Sequence, residues 1–231
     1  MRIAWAITGA GHLLEESVEL LEKISKNHDV TVFLSGAGED VLKMYGLYQK
    51  IQNITGGRYN ELETDQTQKY GYPITGRLSL GKYDLLIVSP ATANTVSKIV
   101  YGISDTIVTN AVAQAGKGKV KTIIIPVDFD LEDVNTILPA KIELQKCKNC
   151  QTCQAAEACP NNAIKPQEEI NLQKCTGCGV CENLCPHNAI TTGKIITIYM
   201  RPIDIENTKK LGQMPNITIY KQPSQILKYI K

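Results

Sequence analysis

The stretch YDLLIVSPATANTVSKIVYGISD, residues 83–105, has an apolar run rich in strand-forming residues, then a turn of small residues, then a helical pattern. The same order occurs twice earlier. RIAWAIT (2–8) precedes GAG and an amphipathic run, and DVTVFLSGAGEDVLKMYG occupies 29–46. A further apolar strand, VKTIIIPVD, lies at 120–128. Strands that alternate with helices predict a doubly wound α/β fold, a parallel sheet covered by helices on both faces.

Ligands of such folds bind at the carboxyl ends of the strands. In this chain three of those ends carry small or hydroxylated residues, at Thr8-Gly9-Ala10-Gly11, Ser35-Gly36 and Ser89-Pro90-Ala91-Thr92. Small residues let a phosphate approach the backbone, and N–H groups at a helix N-terminus favour its charge. Each loop alone is better explained as a turn or helix cap than as a ligand site. Three loops at one edge favour a phosphate-bearing ligand, although neither a Walker nor a G-x-G-x-x-G motif is present.

All eight cysteines lie in two runs, CKNCQTCQAAEACP (147–160) and CTGCGVCENLCP (175–186). The second run has the spacing C-x2-C-x2-C-x3-C-P, which is typical of bacterial ferredoxins with [4Fe–4S] clusters. The first run is two residues longer before its last cysteine. NNAI (161–164) and HNAI (187–190) follow the two Cys-Pro pairs, as in a duplicated ferredoxin. The alternatives, two zinc knuckles or a disulfide scaffold, are disfavoured by the double Cys-Pro motif.

The ferredoxin pattern predicts a crossed arrangement of ligands, because the proline after each fourth cysteine turns the chain toward the neighbouring cluster. One [4Fe–4S] cluster is then held by three cysteines of the first run and the last cysteine of the second, namely Cys147, Cys150, Cys153 and Cys185. The other cluster is held by the complementary set, Cys175, Cys178, Cys181 and Cys159.

The chain does not stop after the second cysteine run. Residues 193–231 contain strand-like runs at 195–200 and 217–220 and helical patterns at 203–211 and from 223. This is too much regular structure for a ferredoxin tail. We therefore expect residues 1–144 to form the α/β domain, residues 145–192 an inserted ferredoxin domain, and residues 193–231 a return segment that completes the first domain.

Composition excludes several classes of protein. The chain has 231 residues, of which 43% are hydrophobic and 21% charged, and its net charge of +2 is dispersed, so no surface for nucleic acid is expected. No apolar run approaches the roughly 20 residues of a membrane span, and the N-terminus reads as a strand rather than a signal peptide. We expect a cytoplasmic protein without membrane contact, in which reduced thiols bind metal.

The motif SPATANTVSKI (89–99) resembles the P-A-S-A-N-T motif of the flavoprotein decarboxylase superfamily, whose members bind FMN on a flavodoxin-like fold. WAITGAGHLLEE (5–16), PATANTVSKIVYGISDTIVTNAVAQAGKG (90–118) and RPIDIENTKKL (201–211) are similar to archaeal flavoproteins of the dihydromethanopterin reductase (acceptor) type. The decarboxylases use a histidine between the second and third βα units. Residues 47–88 contain no histidine, which disfavours a decarboxylase.

The resemblance implies one FMN and two [4Fe–4S] clusters as cofactors. It implies FMN contacts from the residues that match the family's loops, namely Thr8, Gly9, Ala10, Gly11, Ser35, Gly36, Ser89, Pro90, Ala91, Thr92, Asn94, Thr109 and Asn110. His12 follows the glycine turn and is a further candidate for the flavin phosphate site. The alternative for His12 is a residue of the helix N-terminus without a ligand role.

The resemblance also implies a function. Electrons from a low-potential donor such as a ferredoxin would pass through the two clusters to FMN and on to dihydromethanopterin, giving the tetrahydro form. A non-catalytic flavoprotein relay between redox proteins is the alternative. The family further implies a homo-oligomer built from trimers, including large cages. No catalytic residue is identified by the sequence.

Overall fold

The main sheet of the computed structural model, which describes residues 1–68, 74–130, 133–172, 174–175 and 178–230, contains six strands. The strands are β1 Arg2–Ile7, β2 Asp29–Leu34, β3 Leu62–Thr64, β4 Leu85–Ala91, β5 Lys121–Pro126 and β12 Ile217–Ile219. All pair in parallel, in the order β12-β5-β4-β1-β2-β3. Without the short edge strand β3, this is the flavodoxin order 2-1-3-4-5. The predicted doubly wound, flavodoxin-like sheet is confirmed.

Helices cover both faces of the sheet. They are α1 Leu14–Ser25, α2 Gly36–Met44, α3 Tyr48–Ile54, α4 Gly76–Ser79, α5 Ala93–Val100, α6 Ile107–Lys117 and α9 Pro202–Gly212. Successive residues of a strand point to opposite faces, so Ile87 packs in one apolar cluster with α1 and α3, whereas Leu86 and Val88 pack in the other with α6. The continuous apolar runs in the sequence therefore reflect strands that are buried on both sides. Within the described ranges, no helix has the length and apolar character needed to cross a membrane.

The C-terminal segment packs on the main sheet. Strand β12 pairs with β5, with Ile217 opposite Thr122. Helix α9 lies against α5, where the side-chain amide of Asn207 donates a 2.9 Å hydrogen bond to Ser97 Oγ. The helix predicted from residue 223 is a 3-10 helix, Pro223–Lys228.

A second, smaller unit contains the cysteines. Its elements are β7 Lys141–Ile142, α7 Gln154–Glu157, β8 Ile164–Lys165, β9 Glu169–Ile170, α8 Val180–Leu184 and β10 Ile190–Thr191. The strand before the first cysteine run, β7, pairs with the strand after the second, β10, and β8 pairs with β9 in the same antiparallel way. The two NAI repeats adopt the same backbone, with φ of +47° at Asn162 and +48° at Asn188. The sequence repeat is thus a structural repeat.

An antiparallel ribbon leads into and out of this smaller unit. Strand β6, Val134–Ile137, pairs with β11, Ile195–Ile198, and the N–H of Leu138 donates to the carbonyl of Lys194 at 2.8 Å. The chain that enters the unit and the chain that leaves it are therefore adjacent.

Candidate functional site

The switch point of the main sheet lies between β1 and β4, where successive connections run in opposite directions, and ligands of doubly wound folds bind there. Thr8 follows β1 and is 1% exposed. Its hydroxyl donates to the carbonyl of Pro90 at 2.9 Å and accepts from the N–H of Thr92 at 2.9 Å. Thr8 therefore fixes the two predicted loops against each other.

The glycine turn after β1 packs tightly against neighbouring elements. A Cβ atom at Gly9 would lie 2.6 Å from the Cβ of Ala37 on α2, and one at Gly11 would lie 2.5 Å from the hydroxyl oxygen of Tyr45. Ala10 between them is buried. Gly9 is therefore required by packing of the protein itself, a reason that the sequence pattern alone does not reveal, whereas at Gly11 the Tyr45 side chain would have to move.

Hydroxylated residues of the other loops cap helices that begin at this edge. Ser35 accepts from the N–H of Gly38 at 3.0 Å and begins α2, and Thr92 accepts from the N–H of Thr95 at 3.2 Å and begins α5. Such caps satisfy N–H groups that the helix leaves without a partner. Three helices, α2, α5 and α6, therefore direct their N-termini toward the carboxyl edge of the sheet.

The predicted residues of α6 are also used within the protein. Thr109 is 2% exposed, and its side chain accepts from the N–H of Thr106 at 3.0 Å in a reciprocal cap. The side-chain amide of Asn110 donates to Thr75 Oγ1 at 3.2 Å. Both residues lie in the first turn of α6, but their polar atoms have partners inside the domain.

Two residues of the PATANT region differ in orientation. Ser89 is fully buried, and its hydroxyl forms a 2.7 Å hydrogen bond with Ser17 on α1. Asn94 lies in the first turn of α5 and is exposed, and its side chain makes no hydrogen bond within the described ranges. Asn94 is thus available to a ligand at the edge, whereas the Ser89 hydroxyl is directed into the core.

His12 follows Gly11 and is half-buried at the same edge. Burial lowers the pKa of His12, and the nearby Glu16 carboxylate only partly offsets this effect. The imidazole is therefore mainly neutral near pH 7. In this form it accepts or donates a hydrogen bond but adds no positive charge for a phosphate.

Asp65, the residue after β3, lies at this edge and was not identified from the sequence. Its carboxylate accepts from the N–H of Gly36 at 2.8 Å and from the N–H of Ile107 at 2.6 Å. These are the first residues of α2 and α6, so one anion binds two helix N-termini. The first N–H groups of these two helices are therefore paired with a carboxylate of the protein itself.

Replacing Asp65 by alanine is expected to lower the free energy of unfolding by about 1–2 kcal/mol, because two N–H groups at helix N-termini lose a charged acceptor. Urea unfolding monitored by circular dichroism measures this change. Asp40→Ala on the exposed side of α2 is the matched control and should leave stability nearly unchanged. Equal stability of the two variants would contradict the bridging role of Asp65.

The eight cysteines line two cavities. The first cavity, about 260 Å³, is lined by Cys147, Cys150, Cys153 and Cys185 among its residues. The second cavity is narrower and is lined by Cys159, Cys175, Cys178 and Cys181. Each set takes three cysteines from one run and one from the other, in the predicted crossed arrangement. The four thiols of a set surround a cavity and do not converge on a single metal position. Within the described ranges, no three His, Cys, Asp or Glu side chains lie close enough to hold one metal ion.

The surroundings of the thiols suit ligands that carry negative charge on sulfur. The N–H of Ala163 donates to Cys159 Sγ at 3.3 Å, and the N–H of Ala189 donates to Cys185 Sγ at 3.4 Å, at equivalent positions of the repeat. Burial raises the pKa of the Cys181 thiol, and the neighbouring Cys175, Cys178 and Cys159 raise it further. Bound iron removes this repulsion, since thiolates are soft ligands for such clusters. The donor set of each cavity therefore fits a [4Fe–4S] cluster.

Known protein families match both the main domain and the cysteine-containing unit. Residues 1–147 match the family model described as Flavoprotein, and residues 168–191 match that of the 4Fe-4S binding domain. A Methanocaldococcus jannaschii protein named dihydromethanopterin reductase (acceptor) is 50% identical over 99% of this chain and 95% of its own length. A Methanosarcina mazei protein of the same name is 43% identical over 98% of this chain and 97% of its own.

Among solved structures, DmrB of Burkholderia xenovorans in complex with FMN, described as a cubic protein cage for redox transfer, has a similar fold. The TM-score is 0.62 at 24% sequence identity, over 99% of this chain and 92% of that one. Together with the two family matches, this similarity confirms the predicted combination of a flavodoxin-like domain and an iron–sulfur unit. The chain belongs to the flavoprotein family and, over nearly its whole length, is similar to relatives named dihydromethanopterin reductase (acceptor).

Proposed function

We propose that this chain is a dihydromethanopterin reductase of the acceptor type, which takes up single electrons from a low-potential donor and reduces dihydromethanopterin to tetrahydromethanopterin. The observation that carries the proposal is the 50% identity with a reductase of that name over 99% of the chain. The two four-cysteine cavities and the loops that Thr8 holds together at the carboxyl edge of the main sheet agree with it.

FMN is the flavin of the proposal. It is held at the carboxyl edge, by the loops that follow β1, β2 and β4 and by the first turns of α5 and α6. Bound FMN links one-electron and two-electron chemistry because it is stable at both levels of reduction. Thr8 fixes the loops, the caps at Ser35 and Thr92 orient the helix N-termini, and the exposed amide of Asn94 is directed to the ligand side. His12 serves as a neutral hydrogen-bonding group beside the glycine turn.

Two [4Fe–4S] clusters occupy the two cysteine cavities, with Cys147, Cys150, Cys153 and Cys185 at the first and Cys175, Cys178, Cys181 and Cys159 at the second. The chain's own contribution is the set of eight thiolates and the N–H groups that donate to sulfur. Donation to a ligating sulfur spreads its negative charge and so favours the reduced cluster.

The cluster unit is inserted into the flavin domain. The limits predicted from the sequence are residues 145 and 192, and the pairing of β7 with β10 supports an insertion that begins a few residues earlier. The return segment completes the flavin domain through β12 and α9.

The chain is further proposed to form a homo-oligomer built from trimers. Its electron donor is proposed to be a ferredoxin or a similar one-electron protein. The cage formed by the DmrB relative supports the first part. The cytoplasm, which supplies reduced donors and keeps thiols reduced, is the proposed location.

Asn94→Ala is expected to reduce FMN retention several-fold, because the proposal places this amide beside the flavin. The fold should be kept, since the exposed side chain has no hydrogen bond to lose within the described part of the chain. Flavin fluorescence after gel filtration measures retention, and circular dichroism measures the fold. Gln49→Ala on α3, an exposed amide away from this edge, is the control. Unchanged flavin content and turnover would make Asn94 a surface residue only.

The function is tested by anaerobic half-reactions of the reconstituted protein. The flavin is first reduced with dithionite, the excess reductant is removed, and dihydromethanopterin is added. Oxidation of the flavin together with formation of tetrahydromethanopterin supports the reductase. A reduced flavin that passes electrons to a redox protein but is not oxidised by the dihydropterin would contradict the reductase function. It would support the alternative, a non-catalytic relay between redox proteins.

A further inference from the structure

Asp128 lies at the carboxyl edge of the main sheet. It does not belong to any of the loops described above. It lies two residues beyond the end of β5, and the preceding residue, Val127, donates its N–H to the carbonyl of Ala91 at 3.0 Å. Asp128 is therefore next to the loop that ends β4, beside the switch point. Its side chain is only partly exposed and makes no hydrogen bond within the described ranges.

A second carboxylate lies close to Asp128 from helix α9. Asp204 is 4% exposed, and the guanidinium of Arg201 binds both of its oxygens, at 2.6 and 2.8 Å. Thr208 on the same helix donates to the backbone carbonyl of Asp128 at 2.8 Å and so fixes the position of the residue. The Arg201 charge is thus used mainly by Asp204, and Asp128 faces a like charge.

This environment favours the protonated form of Asp128. Burial raises the pKa of Asp128, the negative charge of Asp204 raises it further, and Arg201 only partly offsets the two effects. Asp130, two residues further along the loop, forms an ion pair with Lys221 at 2.7 Å, so its carboxylate is neutralised by a separate partner. Asp128 therefore keeps its proton to a higher pH than an ordinary aspartate does.

Other titratable groups at this edge are less suited to give up a proton. The carboxylate of Asp65 is already engaged by two backbone N–H groups, those of Gly36 and Ile107. The pKa of His12 is lowered, so its imidazole is mainly unprotonated near pH 7. Asp128 combines a position at the edge, a side chain without a hydrogen-bond partner and a neighbour that favours protonation.

We propose that Asp128 is the proton donor in the reduction of the dihydropterin C=N bond. This inference rests on the proposed reductase function. The carbon of the C=N bond takes a hydride, which is two electrons and one proton, from the reduced flavin. The nitrogen takes the proton of the Asp128 carboxyl group: the O–H bond breaks, an N–H bond forms, and the carboxylate later regains a proton from water. Asp204 and Arg201 are positioning residues that act through Asp128.

The main test separates the two half-reactions in the holoenzyme. Asp128→Asn keeps the size of the side chain but carries no transferable proton. We expect flavin reduction by dithionite to be unchanged and flavin oxidation by dihydromethanopterin to be slowed at least about 100-fold, as is typical for loss of a general acid. Asp130→Asn, in the same loop, is the matched control and should leave both half-reactions near the wild-type rates.

A second test uses the electrostatic coupling. The protonated form of Asp128 is the active one, so the rate of flavin oxidation falls as pH rises through its pKa. Asp204→Asn removes the like charge and frees Arg201, which lowers the pKa of Asp128. The falling limb of the pH profile should therefore move to lower pH. Infrared titration is a readout independent of turnover: the carboxylic acid band of Asp128, identified by its loss in Asp128→Asn, should disappear at lower pH in Asp204→Asn.

The outcomes distinguish this inference from the function on which it rests. If the wild-type flavin is not oxidised by dihydromethanopterin, the proposed function fails. If the wild type reacts and Asp128→Asn reacts at a similar rate, the function stands and Asp128 is not the donor. If both half-reactions of Asp128→Asn slow equally, or if the pH profile of Asp204→Asn does not move, the role assigned to Asp128 is wrong.

Discussion

Two double cysteine variants are expected to differ in iron content. The variant that removes two cysteines of one cavity should keep the other cluster, and the variant that removes one cysteine from each cavity should lose both. The wild type should hold about eight irons, because each cubane contains four. Cys185→Ala combined with Cys150→Ala removes two ligands of the first cavity and should leave about four irons. Cys185→Ala combined with Cys178→Ala removes one ligand from each cavity and should leave almost none.

The two double variants are controls for each other, since each lacks two cysteines. If the clusters were held by uncrossed runs, Cys185 and Cys178 would share one cluster, and the iron contents of the two variants would be exchanged. Iron and acid-labile sulfide are measured after anaerobic reconstitution. Stoichiometric zinc with negligible sulfide in the wild type would end the iron–sulfur interpretation.

Removal of the return segment is expected to abolish folding, whereas removal of the cluster unit is not. A chain that ends at Lys146 loses β12 and α9. With them it loses fully buried side chains such as Leu211 and Ile226. Each comparable core deletion costs about 2–5 kcal/mol, and a whole domain is stable by only about 5–15 kcal/mol. We expect this chain to be insoluble or unfolded by circular dichroism.

The matched chain replaces residues 139–193 with a short Gly-Ser turn that joins β6 to β11. The ends are adjacent, because Leu138 already donates to Lys194, and a short loop adds little closure entropy. We expect this chain to be folded and yellow, to contain no iron, and to reduce dihydropterin when its flavin is reduced chemically. If the chain ending at Lys146 folds and binds FMN equally well, the insertion proposal is wrong.

The strands of the flavin domain were predictable because burial on both faces requires continuous apolar runs, as in β1, β4 and β5. The grouping of the cysteines around two cavities, three from one run and one from the other, was predictable from the ferredoxin spacing. Both signals are local in sequence. The reason for glycine at Gly9 was not local: the residue that a side chain would strike, Ala37, lies on α2.

Strand β3 and Asp65 were not predictable for the same physical reason. The strand has three residues, one of them a charged Glu63, and it exists because β2 supplies its partner. Asp65 binds the N–H groups of Gly36 and Ile107, which are brought to it only by the folded sheet. Asp128 likewise resembles an ordinary loop aspartate until α9 places Asp204 beside it. Roles that depend on two distant segments have no short-range signature.

The position of β12 next to β5 has a consequence for biosynthesis. Strand β5 is complete at Pro126, but its outer edge has no partner until Ile217–Ile219 has left the ribosome. At roughly 5–20 residues per second this interval lasts several seconds. During it the entire cluster unit is translated while an unpaired strand edge is open to aggregation. Closure of the flavin domain is therefore expected to follow synthesis of the entire cluster unit, because β12 lies beyond that unit in the chain.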